Sequence, residues 1–236
     1  MRSLFKPAEW FRKPNPLLLR NQGLFADFDQ SRPLNEYCFV VFDTELTGLN
    51  RRRDEIIAIG AVRIANLQIE LGSCFHQYVR PHNLDHNQAT FIHQITPDQL
   101  REAPPIEEVL PSFVEFCGDA LLVGHFLNID MDFLNRAAQK VLGGTLSNPG
   151  VDTMRLARAF KEAHLTSGFG HTDQSFSYSL DSLSEEFQLP RFKAHDALED
   201  ALQSAYLFLF LVRKLTTGRV RTLKDLYQAG RLLRLM

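Results

Sequence analysis

The residues with most chemistry to offer in this 236-residue chain are carboxylates placed where apolar runs end. The run Cys38 to Phe42 delivers Asp43 and Glu45 at the end of a strand, and period-two alternation puts both acids on one face. Two acids forced together repel unless one is protonated or a cation neutralises them, and a hard divalent metal is the usual solution. A turn cap beside a solvated acid is the other reading of the same pair. Asp130 follows a second apolar run, Ala120 to Gly124, and either caps the helix that runs to Leu142 or joins the first pair, with Asp132 as its rival. In the stretch Ala194 to Ala201, Asp196 and Glu199 have capping-box spacing, so Asp196 is read as the N-cap with Glu199 reaching back to it. That leaves His195 on a loop, free to swing over a metal, and fixes Asp200 in the first turns of the helix.

These side chains need a scaffold. Glu55 to Ile64 reads as a second strand and Ile69 to Val79 as a third, and the short links predict an antiparallel meander. Arg51, Arg52 and Arg53 fall in the first link, as a solvated turn or as phosphate contacts. Thr96-Pro97-Asp98-Gln99 is a helix start, and Ile106 to Cys117 has the spacing of an amphipathic helix. Ala120 to Gly124 reads as a buried strand, and Gly143 and Gly144 end the helix after it. Gly150 to Arg158 gives a short strand and a helix with Asp152 as N-cap, then a polar loop, expected to be mobile, over Leu165 to Tyr178. A helix from Leu180 to Phe187 comes next. The eight apolar residues Ala205 to Val212 belong to a buried helix and are too few to cross a membrane.

Composition narrows the class. With 44% hydrophobic residues the chain can bury one domain of about 180 residues with extensions. A net charge of −2 excludes a basic coat over the whole surface and leaves room for a local basic groove. Cys38, Cys74 and Cys117 are odd in number and lack C-x-x-C spacing, which argues against a disulfide framework and a zinc cluster and makes a reducing cytoplasm the natural setting. Residues 1–36 form an N-terminal arm in which Pro7, Pro14 and Pro16 interrupt the apolar residues, so neither a long helix, a membrane span nor a signal-peptide core is expected. The arm either packs on the domain or docks a partner. Residues 215–236 form a basic tail, which either guides a nucleic-acid strand or carries a solvated or partner-docking helix over Leu223 to Leu235.

Several strings carry a resemblance. Asp43 to Leu49, DTELTGL, resembles the first motif of the DEDDh 3′-to-5′ exonucleases, the proofreading-exonuclease superfamily. Phe91 to Thr96, FIHQIT, resembles that group's I-H-G-I-T segment, with Gln94 in place of glycine. His125 to Leu134 is similar to H-N-x-x-F-D-x-x-F-L, with Phe126 where Asn is usual and Ile129 where Phe is usual. Its spacing selects Asp130 over Asp132 as the motif's acid. Val151 to Arg158 resembles V-D-T-x-x-L-A-R, whose acid is usually structural, and His195 to Ala201 resembles H-D-A-x-x-D-A, the most specific of these strings. The likeness covers about residues 37–214.

The resemblance implies an α/β, ribonuclease H-like fold: a mixed five-stranded sheet, three strands in an antiparallel meander plus two more, flanked by helices. Asp43, Glu45, Asp130 and Asp200 become the metal ligands, and an all-oxygen set suits Mg²⁺ or Mn²⁺ rather than zinc. Two ions about 4 Å apart would clamp the scissile phosphate. His195, of a residue type with a reference pKa near 6.5, becomes the general base. The backbone at Leu46 and Thr47 would hold the terminal 3′ hydroxyl, Leu49 would wedge against the last bases, and His93 and His125 would contact the substrate. The expected activity releases nucleoside 5′-monophosphates from single-stranded 3′ ends, DNA in the first reading and RNA in the second, with a polymerase or other protein docking on the arm or tail. An inactive nucleic-acid-binding module is the reading from another class, and the intact acid and histidine set argues against it. An endonuclease of the ribonuclease H type would give His195 no role.

Overall fold

The computed structural model describes residues 13–82, 95–165, 177–216 and 220–231. In chain order the elements are α1 (Pro16–Leu24), β1 (Phe39–Leu46), β2 (Ile56–Ala65), β3 (Gln68–Tyr78), α2 (Pro97–Glu102), α3 (Ile106–Cys117), β4 (Leu121–Gly124), α4 (Asn128–Val141), β5 (Gly150–Asp152), α5 (Thr153–Leu165), α6 (Leu180–Glu186), α7 (Ala197–Thr216) and α8 (Leu223–Arg231). The strands form one mixed sheet of order β3-β2-β1-β4-β5. β1, β2 and β3 pair antiparallel, and β4 and β5 add in parallel beyond β1. The meander and the two further strands are thus as expected.

β1 is apolar on both sides because it lies in the middle of a sheet covered on both faces. Phe39 and Val41 look towards α7, where the Phe39 and Phe208 rings lie 4.9 Å apart. Val40 and Phe42 look the other way, towards α3 and α4, with Phe42 and Phe113 rings 5.5 Å apart. The same alternation then carries Asp43 and Glu45 to the α7 side and Thr44 to the α4 side. Gly60 of β2 stands opposite Asp43 in the register, and a Cβ there would collide with the backbone of Ala197 and Leu198. A residue with no side chain is what lets the first turn of α7 settle on the sheet beside the acids.

Three local points refine the reading. First, the described part of the arm has no long helix, as expected, but does hold the nine-residue α1, which Pro16 opens and the Asn15 side chain caps by accepting from the Leu17 N–H at 2.9 Å. Leu18 is fully buried and Asn21 donates to Asn148 at 2.6 Å, so the described part of the arm is packed on the domain. Second, α4 starts at Asn128, which puts Asp130 inside the helix and not at its cap. Third, Asp196 caps α7 as expected, accepting from Leu198 and Glu199, but Glu199 reaches past it to accept from the Lys193 N–H. The expected mobile loop lies, for residues 166–176, outside the described residues. No helix among the described residues is long and apolar enough to cross a membrane.

Candidate active site

The acids converge by three separate routes. Asp43 and Glu45 come from the end of β1, and Asp200 comes from the first turn of α7 across Gly60. One carboxylate oxygen from each of the three lies within 4.8 Å of the others. Asp130 arrives from α4, on the other side of the sheet, and is brought in through Thr44. β4 stops pairing with β1 at Val41, so the Thr44 N–H has no strand partner on that side and donates to Asp130 Oδ1 at 3.1 Å, with the Thr44 hydroxyl donating to the same oxygen at 2.6 Å. Asp132, the rival acid, is turned outward and pairs with Arg51 at 2.6 Å.

Crowding and burial shift all four acids upward. Asp43 is held well above the usual carboxylate range by burial first and then by the charges of Asp130, Asp200 and Glu45. Glu45 is pushed up to about 7 by burial and by Asp200, Asp196 and Asp130. Burial raises Asp130 to about 7 against the two Thr44 hydrogen bonds, and raises Asp200 to about 6 against the His195 N–H and the His195 charge. Such a site gains by taking up positive charge. The effect on stability has a definite sign, because these carboxyls bind protons more tightly folded than unfolded. The stability they contribute is complete below an unfolded carboxyl pKa of about 4 and is lost as pH rises through about 6 to 7. In EDTA, thermal unfolding should therefore show Tm falling between pH 5 and pH 8, by a stability loss on the order of 2–3 kcal/mol. Added Mg²⁺ or Mn²⁺ should restore it at pH 8, and a flat profile would mean that the acids do not crowd one another.

Around this cluster, His195 is exposed and sits at φ +65°, with its N–H tied to Asp200 Oδ2 at 2.9 Å. The backbone is anchored to a candidate ligand while the imidazole is left at the surface. Past Glu45 the strand bulges, and Thr47 closes the loop twice, donating its N–H to the Glu55 carbonyl at 2.9 Å and accepting from the Glu55 N–H at 3.0 Å. Leu46 is half-buried, whereas Leu49 at the loop tip is 73% exposed. Arg136 donates to the carbonyls of Arg51 and Asp54, pinning this loop to α4. His125 is buried and both of its ring nitrogens have protein partners: Nε2 donates to the Tyr178 carbonyl at 2.8 Å, so Nδ1 accepts from the Thr153 hydroxyl at 2.8 Å. Burial depresses its pKa and favours this neutral form. His125 thus fastens β4, α5 and the lead into α6, and the expected substrate contact would require one of these bonds to open. His93 and Gln94 lie outside the described residues.

Sequence reasoning missed Thr44 and Gly60. Thr44 sits between the two acids of its own strand, and that position was the available signal for it. Asp152 caps α5 by accepting from the Met154 N–H at 2.9 Å, as its motif suggests, and its charge also presses on Asp130.

The mixed 3-2-1-4-5 sheet thus carries a carboxylate cluster at the end of its central strand. The exonuclease family model of RNase T type matches residues 40–208, and the chain belongs to that family. It is 37% identical over 189 residues to a PolC-type DNA polymerase III of Caldanaerobacter subterraneus subsp. tengcongensis, a match covering 80% of this chain and 12% of the relative. The PolC-type polymerase of Staphylococcus haemolyticus is 31% identical over 197 residues, 84% of this chain and 13% of the relative. The chain therefore spans about an eighth of the length of these curated relatives. Among solved structures, Exonuclease X in complex with 5′ overhanging duplex DNA superposes with a TM-score of 0.58 at 25% identity, over 81% of this chain and 99% of that one. E. coli Exonuclease I with a dT13 oligonucleotide gives a TM-score of 0.64 at 17% identity over 77% of this chain and 42% of that one, a likeness of fold.

Proposed function

We propose that the chain is a divalent-metal-dependent 3′-to-5′ exonuclease that removes nucleoside 5′-monophosphates from the 3′ ends of single-stranded DNA. The observation that carries this reading is the approach of the Asp43, Glu45 and Asp200 oxygens within 4.8 Å of one another in a partly dry site. Carboxylates so placed fit hard cations: the donors are all oxygen, and they are buried and crowded together. Asp43, Glu45 and Asp200 would hold one Mg²⁺ or Mn²⁺, and Asp130 with Asp43 would help hold a second. Such ions, when bound, supply charge stabilisation of the scissile phosphate and activation of water.

The chain's own groups do the rest. His195 accepts the proton of the attacking water at its imidazole, and its exposed position lets it deliver that proton to solvent. The Leu46 and Thr47 backbone, held by the Glu55 bonds, meets the terminal 3′ hydroxyl, and Leu49 wedges against the last base. His195→Ala should fold and bind Mn²⁺ as the parent does while losing about 10²- to 10⁴-fold in kcat. Release of a 3′ label at the parental rate would remove His195 from this role. DNA is favoured because the PolC-type relatives are DNA polymerases by name and the Exonuclease X structure holds DNA. We take residues 37–214 as the exonuclease unit and a polymerase as the partner of the arm or tail. Mg²⁺-dependent digestion of matched 5′-labelled DNA, RNA and duplex substrates tests the whole reading. A ladder from single-stranded DNA is expected. Faster RNA digestion would move the substrate class, internal cuts would make it an endonuclease, and no release would leave a binding module.

A further inference from the structure

Among the described residues five large apolar side chains are strongly exposed: Leu19, Leu24, Leu49, Phe126 and Ile129. Phe126 is the aromatic one, 40% exposed, and its backbone has φ +56°, a region that bulky L-residues rarely occupy. Its surroundings hold it there. Its carbonyl accepts from the Ile129 N–H at 2.9 Å. Its ring stands edge-on to His125, centroids 4.8 Å apart, and His125 is itself fixed at both nitrogens. The corner also adjoins the acid cluster: Asp130 is four residues on, and Asp152 lies near enough to it for their charges to repel. Backbone strain kept in place at the carbonyl and at the ring points to use, since Gly or Asn would occupy this conformation at less cost. An exposed aromatic face beside a phosphate-cleaving site is what an unpaired nucleobase stacks on, whatever its sequence.

We propose that Phe126 is a stacking platform for an unpaired base of the strand whose 3′ end enters the acid cluster. This rests on the exonuclease reading above and adds to it a substrate-positioning residue. Ile129, in the first turn of α4, is exposed as well.

Phe126→Ala, Phe126→Trp and Phe126→Asn in the full chain test it. With a single-stranded DNA oligonucleotide, Phe126→Ala should raise KM roughly tenfold, the loss of one stacked base, and change kcat by less than about twofold. Phe126→Trp should restore KM. An oligonucleotide with 2-aminopurine near its 3′ end should be quenched by the parent in EDTA and much less by Phe126→Ala. Phe126→Asn should relieve the backbone and raise Tm by about 2–4 °C while sharing the high KM. If Phe126→Ala and Phe126→Asn both lower Tm and leave KM and quenching at parental values, the ring is surface packing and the proposal is overturned. A parent that digests no strand would instead overturn the exonuclease reading itself.

Discussion

Asp200→Asn is expected to yield a folded protein that melts a few degrees above the parent in EDTA at pH 8, yet digests single-stranded DNA on the order of 10³-fold more slowly. Both signs come from one cause. Asp200 is the acid that α7 contributes to the three-carboxylate cluster, and its charge raises the pKa of both Asp43 and Glu45. An amide keeps an oxygen to accept the His195 N–H while removing that repulsion, so the metal-free protein gains stability. The same change removes a ligand charge. Metal ions typically supply several kcal/mol of charge stabilisation in a phosphoryl transition state, and about 1.4 kcal/mol is a factor of ten. Melting curves with and without Mn²⁺, together with a calorimetric titration, separate the two effects. A variant with parental Mn²⁺ affinity would take Asp200 out of the ligand set.

Gly60→Ala should be nearly as damaging although it touches no substrate. The added methyl would enter the backbone of Ala197 and Leu198, which must yield because β2 is paired on both sides. Overpacking of this kind costs about 1–3 kcal/mol. The larger effect is on geometry: a shift of about 1 Å in the first turn of α7 moves Asp200 and the His195 loop together, and such misplacements cost about 10²-fold in rate. Gly23→Ala in α1 is the control, because nothing lies within 4 Å of a Cβ there. Activity of Gly60→Ala within a fewfold of the parent would show that α7 can take the methyl without moving Asp200.

The contrast between these positions explains what could be read from the sequence. Alternation along β1 is a local rule, so the shared face of Asp43 and Glu45 was legible in eight residues. Capping chemistry is local too, and it placed Asp196 before α7 and Asp200 within it. Asp130 could be recognised from its motif, but its approach could not be derived: it comes from the far side of the sheet and depends on where β4 stops pairing with β1. Gly60 carried no signal, because the helix that requires its missing side chain begins 137 residues later in the sequence. The short helix of the arm was not named for a related reason, since a proline at the first helical position favours the very element it would break further in.

The two flanking segments of the chain meet each other. Pro33 bridges Thr222, the Leu34 N–H donates to the Arg221 carbonyl at 3.2 Å, and the Lys224 N–H donates to the Gln30 carbonyl at 2.9 Å. Leu34 and Leu223, both buried beside this seam, belong to one apolar cluster with the α7 face of β1. The lead into β1 and the start of α8 thus brace each other, and loosening either segment would open the floor on which Phe39 and Phe208 pack.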